Sequence, residues 1–419
     1  MDPGFPELPE TPSGWQQTTF GDVLEVVERP LKLDPHRTYR LVNAKRSRGG
    51  ITLRAELPGR EILTKSQFEA KAADFLISRR QIIHGACGVV PEELDGAVVS
   101  NEYSTLKPRP TLLLDFLRHY SHTPYFQRTC FHSSHGVDVE KMIFKIGEWL
   151  VRRVDVPPLP EQRKIAAILS SVDDAIEATQ AVIDQLGVVK KAMMAELLTR
   201  GLPGRHTRFK QTEIGEMPED WGVLRLGDLC RVTSGGTPSR ERAEFWGGGV
   251  PWVKTGEINY AEITRTEETI SPAGVANSAA KMVPKGSVLM AMYGQGATRG
   301  RVAVLGIDAS LNQACLALIP GPRLARHFLY QVLCAKYDEL REMGHEGTQK
   351  NLNAGLIKSV LLQVPGLDEQ QRIAEGLETI DERRRHEGDY VNQLVTAKAA
   401  LMSVLLSGEV RVVPEEAAE

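Results

Sequence analysis

Two stretches of the chain place apolar residues at alternating steps of four and three positions. This spacing is typical of a coiled coil, in which two α-helices pack through one narrow apolar seam. Prolines precede both stretches and are absent inside them, as expected at helix starts. The seam positions are Ile165, Leu169, Val172, Ile176, Thr179, Ile183, Leu186, Lys190, Met193 and Leu197 in the first stretch, and Ile373, Leu377, Ile380, Arg384, Glu387, Val391, Leu394, Lys398, Leu401 and Leu405 in the second.

The two stretches are copies of one another. The segment 156–166 resembles the segment 364–374, and the same spacing of 208 positions relates Asp173 to Asp381 and Lys190 to Lys398. A weaker echo upstream relates Trp15 to Trp221. The chain is therefore an internal duplication, and a duplicated chain has approximate two-fold symmetry, as a homodimer does.

Each seam spans about 32 residues, or roughly 48 Å of helix. A helix of this length with a narrow stripe needs a partner, and the symmetry of the copies favours an antiparallel pair. Five seam positions are polar (Thr179, Lys190, Arg384, Glu387 and Lys398). They either fix register and partner inside the seam, or lie at its edge and reach solvent by their stems.

Short β-type runs and glycine-rich turns fill the remainder of the chain. Examples of such runs are 286–293, 300–305 and 315–319, and a helical pattern covers 327–343. The sequence predicts an α+β fold with two globular segments in tandem duplication, joined by a long antiparallel two-helix coiled coil. The predicted boundaries are a tail at 1–12, a globular segment at 13–155, a helix at 156–204, a linker at 205–213, a globular segment at 214–363, a helix at 364–412 and an acidic tail at 413–419.

Basic residues are concentrated in the first globular segment, although the formal net charge of the chain is −3. Between His36 and Ala55 there are six arginines and lysines and no acidic residue, and Arg79 and Arg80 form a second cluster. Charge runs are usually solvated faces. Here turn residues are interleaved with the charges, which favours loops that contact phosphates.

The second globular segment contains glycine-rich polar loops at 234–239, 246–258, 293–300, 312–315 and 347–353. Gln, Asn, Arg, Lys and Thr are side chains that read base edges or bind phosphate oxygens. Ordinary turn chemistry is the alternative for each loop taken alone.

Motifs for catalysis are missing from the sequence. It has no phosphate-binding loop of the Gly-x-x-x-x-Gly-Lys-Ser/Thr type, no dinucleotide-binding glycine pattern, no Asn/Asp-Pro-Pro-Tyr/Phe, no Gly-x-Ser-x-Gly and no His-Glu-x-x-His. The five cysteines are scattered, and no apolar run reaches the roughly 18 residues of a membrane span. We therefore expect a non-enzymatic cytoplasmic protein outside the membrane.

One cluster has residue types that suit zinc, namely His119, His122, Cys130, His132 and His135. Since no paired-cysteine framework accompanies it, we interpret it as an exposed histidine-rich stretch and predict no metal site.

The whole chain resembles the specificity subunit of type I restriction–modification enzymes. The resemblance is carried by the duplicated Pro-x-x-x-Glu-Gln helix starts (157–162 and 365–370), by 197–201 and 214–221, and by the loops 247–254 and 348–353. The first globular segment departs from the second because it lacks the Gly-Gly-Thr-Pro and Thr-Gln-Lys-Asn loops.

The resemblance implies that both globular segments are target-recognition domains, each reading one half of a bipartite double-stranded DNA target. The coiled coil would set the gap between the halves and dock two methyltransferase subunits, and motor–nuclease subunits would join for restriction. This chain would bind no cofactor, and S-adenosylmethionine would bind to the partner methyltransferase. The rival interpretations are a methyltransferase or nuclease with unrecognised motifs, and a coiled-coil scaffold whose globular segments bind something other than DNA.

The candidate site residues form two sets. For DNA contact we predict Lys45, Arg46, Arg48, Arg79, Arg80, Lys254, Thr255, Gln295, Thr298, Arg299, Gln349, Lys350 and Asn351. For the coiled coil and partner docking we predict Glu161, Gln162, Ile165, Leu169, Val172, Ile176, Leu186, Leu197, Glu369, Gln370, Ile373, Leu377, Ile380, Leu394, Leu401 and Leu405.

Overall fold

The structure is a computed structural model that describes residues 10–64, 66–294, 297–343 and 352–412. The chain divides into two compact units. The first unit comprises residues 1–179 and 390–419, and the second unit comprises residues 180–389. Two long helices contribute to both units: the first long helix, Leu159–Arg200, and the second long helix, Leu367–Leu405.

The first unit contains a four-stranded antiparallel sheet and a five-stranded mixed sheet. The four strands are, in spatial order, Leu24–Val26, Tyr103–Pro108, Phe75–Ser78 and Cys87–Val89. The five strands are Pro30–Leu31, Gln67–Ala70, Ala97–Ser100, Thr38–Ala44 and Ile51–Pro58. Two-stranded ribbons pair Gln16–Thr19 with Arg153–Val156 and Ser134–His135 with Ile143–Phe144.

Short helices pack around these sheets in the first unit. Thr19 caps the first of them and Asp22 completes the capping box, which satisfies two backbone N–H groups at the helix start. Thr123 caps another in the same way through its hydroxyl. The α-helices are Phe20–Val23, Leu114–Tyr120, Pro124–His132 and Ile146–Leu150, and the 3₁₀ turns are Gly59–Glu61, Ile82–His84, Glu92–Leu94 and Val139–Lys141.

The second unit contains a five-stranded sheet and a three-stranded sheet. The five strands are, in spatial order, Cys230–Ser234, Cys315–Pro320, Val288–Ala291, Val302–Leu305 and Glu262–Ile263. The three are Glu268–Ile270, Trp246–Val253 and Ser310–Leu311. Two-stranded ribbons pair Phe209–Thr212 with Gly215–Pro218 and Gly222–Arg225 with Leu361–Val364. The helices are Leu226–Leu229, Pro272–Ala276, Arg326–Ala335, Tyr337–Met343 and Ala354–Ser359, and the 3₁₀ turns are Ala243–Phe245 and Thr255–Glu257.

Each unit has a core that includes the start of one long helix and the end of the other. In the first unit Ile165 and Leu169 pack in one cluster with Leu405 and Leu406. In the second unit the corresponding cluster joins Ile373 and Leu377 to Leu197 and Leu198. The long helices therefore pair in antiparallel fashion inside each unit.

The predicted α+β class, the duplicated plan and the two antiparallel long helices are confirmed. All ten predicted seam positions of each long helix are buried or partly buried, including the five polar ones. The sequence runs 286–293 and 300–305 each contain a strand, the run 315–319 lies within one, and 327–343 contains most of two consecutive helices. The six predicted segment boundaries stay a prediction.

Candidate nucleic-acid interface and its helical frame

The predicted glutamines at the helix starts fasten each long helix to its globular part. Gln162 is fully buried; its Oε1 accepts from the backbone N of Leu113 (2.8 Å), and its Nε2 donates to the carbonyls of Thr111 (2.9 Å) and Pro157 (2.8 Å). Gln370 makes the same three bonds, with the backbone N of Ala325 and the carbonyls of Arg323 and Pro365. One side chain thus fixes the loop before a short helix against the start of a long one.

The neighbouring glutamates bind the chain beyond the end of the opposite long helix. The carboxylate of Glu161 binds two nitrogens of Arg411, at 2.8 and 2.7 Å. Burial raises the pKa of Glu161, but the hydrogen bonds and the positive charge of Arg411, together with a hydrogen bond from the backbone N of Val412, outweigh burial and lower the pKa overall. Because charge-assisted paired bonds are strong and directional, Glu161 holds the segment that follows the second long helix against the start of the first.

Glu369 has the equivalent position in the second unit. Its carboxylate accepts from Nε1 of Trp221 (3.1 Å), from the ring of His206 (2.8 Å) and from the backbone N of Leu202 (3.1 Å). Arg205 lies 3.5 Å away. Only 1% of Glu369 is exposed, so this set of donors replaces the water that burial removes.

Two lysines of the seam form ion pairs across the long helices. In the second unit the ammonium of Lys190 binds both oxygens of Asp381, at 2.7 and 2.6 Å. In the first unit Lys398 binds Asp173. These contacts favour the seam interpretation of the two lysines over the edge interpretation.

A side chain from a short helix approaches each of these aspartates. Gln331 donates to Asp381 at 3.1 Å. In the other unit His119 lies with its Nδ1 3.9 Å from Asp173 and its Nε2 3.1 Å from Ser170 Oγ. Burial lowers the pKa of His119 to about 4, so the imidazole is neutral at pH 7.

The basic clusters of the first unit lie side by side. Lys45, Arg46 and Arg48 lie in the turn between the strands Thr38–Ala44 and Ile51–Pro58, and all three side chains are exposed. The backbone N of Ser47 donates to the carbonyl of His84 (2.7 Å), and that of Arg48 to the carbonyl of Gly85 (3.2 Å). The turn therefore rests on the 3₁₀ turn that follows Arg79 and Arg80. We call residues 45–48 and 79–85 the basic hairpin surface.

The close approach depends on Gly85. Its φ is +78°, and a Cβ there would lie 3.2 Å from the backbone N of Arg48. Glycine adopts this backbone conformation without strain and leaves the space open. The sequence placed the two clusters 30 or more positions apart, so their adjacency could not be read from it.

Some charges of the basic hairpin surface have carboxylate partners. Arg46 binds Glu140 (3.2 Å), and Arg80 binds Glu102 (2.6 Å), both in exposed pairs. Arg79 donates to the carbonyl of Asn101 (3.3 Å). For Lys45 and Arg48, no carboxylate lies within ion-pair distance in the part of the chain that the structure describes.

Three polar loops of the second unit meet through hydrogen bonds. Asn312 donates to Thr255 Oγ1 (3.1 Å), and Thr237 donates to Gln313. The loops 234–239, 254–256 and 312–314 thus form one surface, which we call the polar loop surface. Lys254 belongs to it, and its ammonium binds Glu267 (2.6 Å) and Glu268 (3.1 Å). Hydrogen bonds to these carboxylates raise the pKa of Lys254.

Sequence reasoning missed a cation–π stack beside these loops. The guanidinium carbon of Arg240 lies 3.6 Å from the ring centroid of Trp246, and Arg240 also binds Glu268 (2.6 Å). The indole of Trp252 donates to the carbonyl of Gly236 (3.0 Å) and fixes the glycine loop. An arginine six positions before a tryptophan was the available signal, and it is a weak one.

Two further residues predicted to contact DNA in the second unit are Thr298 and Arg299. Thr298 is partly buried, and Arg299 is 7% exposed with a bond from its guanidinium to the carbonyl of Arg341 (3.2 Å). Arg341 in turn donates to the carbonyl of Arg299 (3.1 Å). Gln295, Gln349, Lys350 and Asn351 lie outside the described residues. All these DNA-contact assignments stay predictions.

The prediction of an exposed histidine-rich stretch holds only for His135 among its five members, because His122 and His132 are partly buried and the other two are buried. His119 and Cys130 are buried, because they lie on the core-facing sides of the helices Leu114–Tyr120 and Pro124–His132. His135 is exposed and binds Glu148 (2.6 Å). Among the described residues no group of three or more His, Cys, Asp or Glu could bind a metal ion. In the same residues, no helix has the length and apolar character needed to cross a membrane.

Known proteins resemble this chain in sequence. The family model of the type I restriction modification DNA specificity domain matches residues 218–393. The chain is 28% identical over 269 residues to the MjaVIII type I restriction enzyme specificity subunit of Methanocaldococcus jannaschii, and the alignment covers 62% of each chain. It thus spans under two thirds of that relative's length. Over 95% of this chain and all of the other, it is 22% identical to the HindI specificity subunit of Haemophilus influenzae.

Solved structures share the fold at low identity. A chain from a study of complex assembly and conformational transition of the type I R-M system superposes with a TM-score of 0.60 at 18% identity, over 96% of this chain and 100% of that one. The type I restriction–modification S subunit from M. genitalium gives a TM-score of 0.59 at 14% identity, over 96% and 98% of the two chains. These two likenesses concern the fold alone.

Proposed function

Since this chain belongs to the family of type I restriction–modification specificity subunits, we propose that it is the non-catalytic DNA-reading subunit of such an enzyme. Each globular part would read one half of a bipartite double-stranded DNA target. The observation that carries the proposal is that each unit gathers polar or basic loops from distant parts of the chain, and that each has a core with the start of one long helix and the end of the other. Different loops attached to cores of the same plan favour two different half-sites.

The basic hairpin surface of the first unit has the chemistry of a phosphate contact. Arginine and lysine on exposed turns bind the DNA backbone and position a protein on the duplex. Lys45 and Arg48 supply charge in exposed side chains, and Arg46, Arg79 and Arg80 lie beside them. We assign backbone contact to this surface.

The polar loop surface of the second unit has the chemistry of base reading. Thr255, Asn312 and Gln313 present hydroxyl and amide groups at one place, and amides match adenine edges while hydroxyls bind several bases. Lys254 is already held by two carboxylates, so a phosphate would compete with them. We therefore assign Lys254 an orienting role, and base contact to its neighbours.

The two long helices would set the gap between the half-sites and dock two methyltransferase subunits. S-adenosylmethionine would bind to those subunits, and motor–nuclease subunits would join the assembly for restriction. Glu161, Gln162, Glu369 and Gln370 support such docking indirectly, since they hold each long helix in a fixed orientation. The cytoplasm is the compartment in which this assembly would meet DNA.

Methylation profiling tests the proposal. DNA exposed to this chain and its partner methyltransferase should become methylated at one asymmetric motif interrupted by a gap of fixed length. An ungapped motif, or S-adenosylmethionine binding by the chain alone, would contradict it.

Lengthening the helices tests the role assigned to them. One heptad inserted after Ala181, with a matching heptad after Asp389, adds about 10 Å to the pair, or roughly three base pairs of DNA. The expected result is that both half-sites persist and the gap grows. A seven-residue insertion after Leu63, whose side chain is 91% exposed, should leave the gap unchanged. An unchanged gap in the helix variant would refute the spacer role.

A further inference from the structure

The apolar seam of the long helices does not specify its own register. Seam residues recur every seven positions, so a slip of one heptad places apolar residues opposite apolar residues again. The contacts at the helix ends hold one alignment from outside the seam, and inside the seam some residues have to distinguish that alignment from a slipped one. The candidates are the polar residues that the seam contains.

Two of these polar seam residues are lysines that form ion pairs, Lys190 with Asp381 and Lys398 with Asp173. One pair lies in each unit. All four side chains are largely buried, with exposed fractions of 12% and 22% in the first pair and 16% and 29% in the second. Both pairs fit a single antiparallel alignment, in which the residue numbers of facing positions add up to 571. The pairs are also copies of each other, 208 positions apart.

A slip of one heptad breaks both pairs at once. Lys190 would then face Ala374 or Gly388, and Asp381 would face Ile183 or Leu197. A partly buried charge without its partner is strongly unfavourable, because it has left water and gained nothing in return. The penalty falls on every slipped alignment and not on the native one.

A further contact ties each pair to a short helix of the same unit. Gln331 on Arg326–Ala335 donates to Asp381, and His119 on Leu114–Tyr120 lies beside Asp173. The aspartates therefore align three elements: both long helices and the short helix that packs on them.

We propose that the ion pairs Lys190–Asp381 and Lys398–Asp173 select the register of the long helices and thereby the gap between the two DNA half-sites. The proposal rests on the proposed function of the chain. These four residues act as positioning residues: they stay away from DNA and determine how far apart its two readers lie.

Removing all four charges separates register selection from stability. The four-leucine variant, which carries Asp173→Leu, Lys190→Leu, Asp381→Leu and Lys398→Leu, keeps an apolar seam. Apolar replacement of a buried ion pair is often neutral or stabilising. The melting temperature of the variant should stay the same or rise. Methylation should spread to neighbouring gap lengths, with the ratio of non-native to native gaps rising about tenfold, the size of a typical coupling between contacting residues.

A second experiment exchanges the charges of Lys190 and Asp381. Lys190→Asp alone places two carboxylates together, and it should blur the gap or abolish methylation. Lys190→Asp with Asp381→Lys restores an ion pair and should restore the single native gap. Lys191→Asp changes the charge equally at an exposed position outside the seam, so its gap should be native.

The outcomes distinguish this proposal from the proposed function. If the unaltered chain directs no gapped methylation, the proposed function fails. If the unaltered chain gives one gap and the four-leucine variant gives the same single gap, only the register proposal is overturned. Should the four-leucine variant direct no methylation at all, the exchanged pair decides: recovery of the native gap supports the proposal, and continued loss in a folded protein overturns it.

Discussion

The two units share the part that contacts the long helices and differ in the part that does not. In each, a ribbon, a one-turn helix and a sheet with the same order of four strands stand beside the helix starts. Beyond this frame the first unit has a five-stranded sheet with the basic hairpin surface, whereas the second has a three-stranded sheet next to the polar loop surface. The two copies within this chain have therefore kept the same frame, while their distal sheets and loops have diverged.

The equivalence of the frames extends to single side chains. Gln162 and Gln370 make three matching hydrogen bonds. Glu161 and Glu369 are buried at the same place, yet one binds an arginine and the other a tryptophan, a histidine and an arginine. His119 in one unit corresponds to Gln331 in the other. The frame therefore keeps its geometry where the chemistry of a partner has changed.

Removal of the helix-start glutamines should have the largest effect. Gln162→Ala or Gln370→Ala leaves buried carbonyls and one N–H without partners, and each variant should lose about 3 kcal/mol of unfolding free energy. Chemical denaturation with hydrogen exchange at each helix start measures the loss. Gln180→Ala, at an exposed mid-helix position, should be nearly silent. A loss in only one of the two units would break the equivalence of the frames.

Acid should distinguish the units through His119. Its pKa is about 4 in the folded chain and about 6.5 when unfolded. Between these values the unfolded chain binds more protons, so stability falls as pH drops from about 6.5 to about 4. At pH 5 the loss attributable to His119 is about 2 kcal/mol.

The reciprocal pair of variants checks this contrast. His119→Gln should reduce the drop in melting temperature between pH 7.5 and pH 5, and Gln331→His should enlarge it. Burial also lowers the pKa of His122 to about 4. A His122→Gln variant measures the part of the acid response that comes from His122. An unaltered acid response in His119→Gln would show that this site does not distinguish the units.

The smallest expected effect concerns DNA affinity. Arg48→Gln should weaken binding to all sequences about fivefold and reduce the salt dependence by about one counterion. Lys254→Gln should change affinity less than about twofold, since its ammonium is bound to Glu267 and Glu268. Titrations at several salt concentrations measure both, with Arg60→Gln at the far end of the strand as the control. A larger effect at Lys254 would reverse the roles assigned to the two surfaces.

The sequence predicted the periodic parts of the fold well. The seam, the helix starts, the duplication and several strands follow from local spacing and repetition, which one chain displays directly. Contacts between distant segments could not be predicted from the sequence. Glu161 and Arg411 are 250 positions apart, and Lys190 and Asp381 are 191 apart. The burial of His119 was missed because its neighbours Phe116, Leu117 and Tyr120 decide which side of the helix faces the core.

The contact between Glu161 and Arg411 has a consequence for the order in which the two units fold during synthesis. The core of the first unit needs Leu405 and Leu406, and Glu161 needs Arg411, so the first unit stays incomplete until these three residues have left the ribosome. Residues 180–389 contain all that their own core requires and can close earlier. The first unit is thus the last to fold, although most of it precedes the second unit in the chain, because its core closes only through slow, long-range contacts.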